Sequence, residues 1–60
     1  MGLRFSSEDQ NGTPVEWWLE RGGRLFNRKH GEQRWTLITK DVLSPEDARA
    51  FILQYHEEVN

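Results

Sequence analysis

The sequence predicts a small α+β fold, a β-hairpin or short antiparallel sheet packed by a C-terminal helix. Three observations carry this. An amphipathic pattern with a helix-start signal runs from Ser44 to the end of the chain. Arg34-Trp35-Thr36-Leu37-Ile38-Thr39 is rich in the β-branched and aromatic residues that suit a pleated surface. His30-Gly31-Glu32-Gln33 ahead of it offers a hairpin turn with a glycine available for positive φ. The expected element order is α-β-β-α. The rival is β-β-β-α, a three-stranded meander followed by one helix. In both, the last helix covers a sheet face.

Leu3-Arg4-Phe5 reads as a short strand or a tail, and residues 1–12 as a loosely held N-terminal segment. The polar run that follows ends on the turn pair Asn11-Gly12. Thr13-Pro14-Val15-Glu16 matches a helix start, in which Thr caps, Pro takes the opening position and Glu completes a capping box. With Gly22-Gly23 as a stop, this predicts a helix over 14–21. Val15-Glu16-Trp17-Trp18-Leu19-Glu20 also alternates as a strand does, which is the competing reading. Residues 24–29 and 34–40 read as two strands, with Leu25, Trp35 and Leu37 as candidates for one buried face. Ser44-Pro45-Glu46-Asp47 starts the last helix, expected from 45 to about 58, with its acids at the positive end of the dipole. Ala48, Phe51, Ile52, Tyr55 and Val59 form its apolar stripe. Leu43 is expected beneath its start.

Sixty residues make a single domain, 1–60. A chain this short buries only about 60% of its unfolded surface, so it needs a dense core, a partner or both. There is no Cys, which excludes disulfides and thiolate zinc sites. His30 and His56 are the only histidines, so neither a metal site nor a cofactor is expected. Three Trp, three Phe and one Tyr are a large apolar supply for so small a core. No apolar run approaches the ~20 residues needed to span a bilayer. A cytoplasmic location is the default for such a chain. Met1-Gly2-Leu3-Arg4-Phe5-Ser6 fits the loose myristoylation pattern and Asn11-Gly12-Thr13 a glycosylation acceptor. No second anchoring signal accompanies the one and no secretory signal the other, so no membrane partner is expected.

Catalysis has little support. The chain contains no G-x-S-x-G, P-loop or H-E-x-x-H pattern, and His56-Glu57-Glu58 reads as a solvated helix end. Neither an enzyme nor a small-molecule substrate is expected. The charge distribution says more. Residues 21–40 hold six of the eight Lys and Arg against one acid, Glu32, while both flanks are net acidic. Arg21, Arg24, Arg28, Lys29, Arg34 and Lys40 are therefore candidates for binding nucleic acid or an acidic partner. Arg28 and Lys29 are expected nearest the hairpin tip, with Phe26 and Trp35 available to stack on bases. The competing reading is that these cations solvate an open face and pair with Glu16, Glu20 or Glu32.

Trp17 and Trp18 cannot both face a core, because neighbours diverge on a helix and alternate on a strand. The outward one is an interface candidate. On the helix reading, Val15, Trp18 and Leu19 form the buried face and Trp17 points away; on the strand reading, Trp17 is buried and Trp18 lies between Glu16 and Glu20 on the other face. Leu53 falls off the apolar stripe of the last helix and joins Trp17 and Trp18 as a candidate protein interface. The expected function is a small non-enzymatic protein-interaction or regulatory module, with self-association as a homodimer included. In that case the basic hairpin would meet an acidic helix face. The alternative is an accessory module that binds DNA or RNA through the basic hairpin. No family motif can be quoted from the chain. Its layout of a hairpin followed by a helix is similar to the arm-binding domains of phage integrases and to the wing of winged-helix proteins.

Overall fold

Residues 14–19 form a strand, not a helix, and this decides the topology. Val15, Trp17 and Leu19 are buried on one side, while Glu16 and Trp18 face the other way. A capping box contributes about 1 kcal/mol. Burying a large apolar side chain contributes about 1.5–3 kcal/mol, and the strand buries three on one face. A helix would have scattered that period-two set around its axis. Pro14 is tolerated because it opens the strand. Its carbonyl accepts a hydrogen bond from His30 N–H at 2.9 Å.

The computed structural model describes residues 2–59, the side chains of Glu58 and Val59 excepted. The strands are β1 (Leu3–Glu8), β2 (Pro14–Leu19), β3 (Leu25–Lys29) and β4 (Thr36–Thr39), followed by α1 (Pro45–Val59). They form one antiparallel sheet in the order β1-β2-β3-β4. The class is α+β as expected, but the order is β-β-β-β-α rather than α-β-β-α.

Each hairpin has its own local cause. Between β1 and β2, Asp9 Oδ1 accepts from the backbone N–H of Asn11 and of Thr13, both at 2.9 Å. Between β2 and β3, Gly23 N–H donates to Glu20 O at 2.9 Å and Glu20 N–H to Arg24 O at 2.8 Å. The Gly22-Gly23 pair therefore turns a hairpin instead of ending a helix. Gly23 has φ of 93°, and a Cβ there would lie 3.3 Å from the Val42 carbonyl oxygen. Between β3 and β4, Glu32 N–H donates to Lys29 O at 2.9 Å, and Gly31 takes positive φ as expected for this turn.

The β3–β4 register corrects the expected buried face. Asn27 pairs with Thr36 and Phe26 with Leu37, so Leu37 shares the face of Phe26; the register then shifts between Phe26 and Leu25, which pairs with Thr39. Leu25 is buried, but Leu37 lies on the opposite face and is 44% exposed. Trp35 lies on that opposite face too, against Trp18. Ile38 takes the place expected of Leu37 beside the core.

In α1, the Ser44 hydroxyl accepts from Asp47 N–H at 3.2 Å, as the cap requires. Ala48 and Ile52 are buried, and Phe51 and Tyr55 pack beside them. Val59, expected on the same stripe, lies outside the described side chains. Leu43 is 86% exposed and does not pack beneath the helix. Val42 N–H donates to Gly23 O at 2.9 Å, which turns Val42 inward and the next residue out. The core is Val15, Trp17, Leu19, Leu25, Val42, Ala48 and Ile52. Among the described residues, no helix is long and apolar enough to cross a membrane.

Candidate functional site

With α1 on one side, the sheet presents its other face outward, and that face carries aromatic rings and arginines. Trp18 and Phe26 are opposite each other on β2 and β3 and stack with centroids 5.4 Å apart at 28°. Trp35, just before β4, tilts over Trp18 at 5.9 Å. Arg28 lies 4.4 Å above the Trp35 ring, and Arg4 reaches the same ring from β1 at 5.2 Å. Trp35 thus lies across the sheet and gathers cations from both sides of it. A Cβ at Gly2 would collide with the Trp18 indole, so glycine there lets the chain run close over that ring. Leu37, opposite Phe26, continues the patch.

The basic island is divided by this geometry. Arg28 is not at the hairpin tip. It sits within β3 directly opposite Glu16, and its Nε donates to Glu16 Oε1 at 3.0 Å. Arg24 pairs with Glu20 at 2.6 Å across the β2–β3 turn. Arg21, Lys29, Arg34 and Lys40 are exposed, and among the described residues none of them makes an ion pair. The six expected cations are therefore spread over two turns, the sheet and the segment after β4. They do not form one continuous strip.

Of the interface candidates, Trp17 is withdrawn, because it is 0% exposed and has no surface to offer. Trp18 is half-buried in the aromatic patch. Leu53 is 66% exposed on the flank of α1 beside β1. A groove of about 580 Å³ runs between that flank and the β1 edge, lined by Phe5, Ser7, Arg49, Ile52, Leu53 and His56. A smaller cavity of about 200 Å³ lies at the other end of α1, where Asp9, Asn27, Lys29, Glu32, Tyr55 and His56 meet.

His56 is the residue that sequence reasoning missed. Far from being a solvated helix end, it is half-buried between these two clefts. Its Nε2 lies 2.7 Å from the Ser7 hydroxyl, and its ring stands edge-on to Trp17 at 6.1 Å. The Trp17 indole N–H donates to the same hydroxyl at 2.9 Å. The signal was present in the hairpin register, since an Asn11-Gly12 turn brings Ser7 opposite Val15, two residues from Trp17. Among the described residues, no group of three or more His, Asp or Glu is placed to hold a metal ion. Comparison with protein families, with curated proteins and with solved structures finds no match to this chain.

Proposed function

We propose that this chain is a small, non-enzymatic protein-interaction module that takes its partner on the open sheet face. One observation carries the reading. Arg28 is matched by Glu16 and Arg24 by Glu20, and Arg4 lies over the Trp35 ring, while Trp18, Phe26, Trp35 and Leu37 remain together at the surface. Interfaces are built this way, from aromatic and Arg anchors ringed by satisfied polar groups. A nucleic-acid surface needs unmatched cations in a strip and free ring faces for bases. Here Trp18 and Phe26 stack on each other, and Arg28 occupies a face of Trp35.

The test is affinity capture with the wild-type chain and with Leu37→Glu, a solvent-exposed change in the middle of the patch. A protein retained by the wild type and lost with Leu37→Glu supports the reading. Titration with single-stranded and duplex nucleic acid at low salt runs beside it. Affinity for those ligands that falls steeply with salt, and is lost in Arg34→Ala/Lys40→Ala but kept in Leu37→Glu, would overturn it in favour of the nucleic-acid alternative.

A further inference from the structure

β1 is an edge strand six residues long, and its outer side is open. The Asp9 N–H to Thr13 O bond fixes the alternation of the β1–β2 ladder. Leu3, Phe5 and Ser7 point their backbone groups at β2. Arg4, Ser6 and Glu8 point theirs outward, where among the described residues nothing receives them. Unpaired edges of this kind accept another strand.

We infer that the strand they accept is β1 of a second copy, antiparallel about a two-fold axis through Ser6. The register follows from charge. Only outward groups can bond, so even residues must face even residues. Centred on Ser6, Arg4 stands opposite Glu8 of the second copy, and Glu8 opposite its Arg4, on the same face. Centred on Phe5 or Ser7, the even pairs become Arg4 with Ser6 or Ser6 with Glu8, and the charges go unmatched. The favoured register forms roughly six interstrand hydrogen bonds and two cross-strand ion pairs.

The helix repeats the pattern independently. Arg49 lies over the Phe5 ring at 5.8 Å, and His56 bonds Ser7. α1 therefore runs alongside β1 in the same direction, with Leu53 midway, level with Ser6. The axis that passes through Ser6 sets Leu53 against Leu53 of the second copy. It also sets Arg49 against Glu57 of the second copy, both exposed side chains of this chain. Two self-complementary sequences, Arg4/Glu8 on the strand and Arg49/Glu57 on the helix, share one axis. The dimer closes the groove between β1 and α1 and covers Leu53. It extends the sheet to eight strands and leaves Trp18, Phe26 and Leu37 of each copy uncovered, with Arg4 at the margin between the two surfaces. The proposal shares only Arg4, at the margin of the open face, with the partner site above, and does not rest on it.

Sedimentation equilibrium of the full chain tests this directly. The wild type is expected to show a monomer–dimer equilibrium. Arg4→Glu and Glu8→Arg each place like charges opposite one another twice, and each should weaken association about tenfold or more. Mixed in equal amounts, the two variants should associate with each other as the wild type does with itself, since every facing pair is then opposite in charge. Circular dichroism confirms that each variant is folded. If either strand variant fails to fold, Arg49→Glu and Glu57→Arg carry the same exchange on the helix. A chain that stays monomeric at every concentration overturns the proposal, whether or not some other protein's strand occupies the edge. So does a dimer indifferent to the single reversals, or folded variants that fail to associate on mixing.

Discussion

His56 on α1 and Ser7 on β1, 49 positions apart, meet at 2.7 Å from Nε2 to the hydroxyl oxygen. The same oxygen accepts the buried Trp17 indole N–H, so the hydroxyl can turn its own proton to the imidazole. This bridge ties the far part of the helix to the sheet edge and satisfies the polar atom of the most buried aromatic ring.

Ser7→Ala removes that acceptor and leaves the Trp17 N–H buried without a partner. The expected loss is about 1–3 kcal/mol of unfolding free energy. Urea denaturation followed by Trp fluorescence measures it. A loss within error of zero would show that the bridge contributes nothing to stability.

Trp17→Ala and Trp18→Ala should differ sharply although they are neighbours. Trp17 fills the core, and emptying its site costs about 3–5 kcal/mol. A domain of this length has only about 3–9 kcal/mol of stability to lose. Trp17→Ala is therefore expected to unfold most or all of the chain at room temperature. Trp18→Ala should leave a cooperative thermal transition in circular dichroism, at lower temperature.

Gly23→Ala should destabilise by more than 1 kcal/mol, through its φ of 93° and the Val42 carbonyl 3.3 Å from the new methyl group. Gly22→Ala is the control, because a Cβ there meets only Glu20 Oε1 at 3.8 Å. Chemical denaturation midpoints for the pair isolate the backbone effect, and equal midpoints would contradict it.

Arg28→Ala loses both the Glu16 pair and the contact over Trp35. Half-exposed interactions of these kinds contribute about 0.5–1 kcal/mol each. A drop of about 1 kcal/mol is expected, with a red shift of indole emission as Trp35 loses its cover. Arg34→Ala, which removes an exposed cation, should change neither.

Parts of this fold were legible because their signals were local and agreed with burial. The Ser44 cap, the 3.6-residue stripe of Ala48, Ile52 and Tyr55, and the turn glycines at 12 and 31 all do in space what their neighbours in sequence imply. The failures share one cause, that a pairing partner decides. Thr13-Pro14-Val15-Glu16 is a sound helix start in isolation, and it loses because Val15, Trp17 and Leu19 have a sheet and a helix to pack between. Leu37 misled because its face depends on the register with Phe26, which the loop sets and composition does not. Leu43 lost its place to Val42 through a hydrogen bond to Gly23. In the candidate site, Trp18 is the outward indole only on the strand reading; the helix start at Thr13-Pro14 points to the reverse, with Trp18 buried and Trp17 outward, and the sheet overturns it. The matching of Arg28 to Glu16 was foreseen as a competing reading. The Ser7–His56 bridge required both the hairpin register and the docking of α1.

The strand order has a kinetic consequence. Each strand pairs only with its neighbours in sequence, so every hairpin can close over a short loop and the sheet can assemble by steps with little entropic cost. The helix is different, since its bond to Ser7 spans nearly the whole chain. Substitutions in the turns, such as Gly23→Ala, should then slow folding, whereas loss of the Ser7–His56 bridge should chiefly hasten unfolding. Stopped-flow folding and unfolding rates of Gly23→Ala and Ser7→Ala check this, and a Ser7→Ala chain that folds more slowly with an unchanged unfolding rate would contradict it.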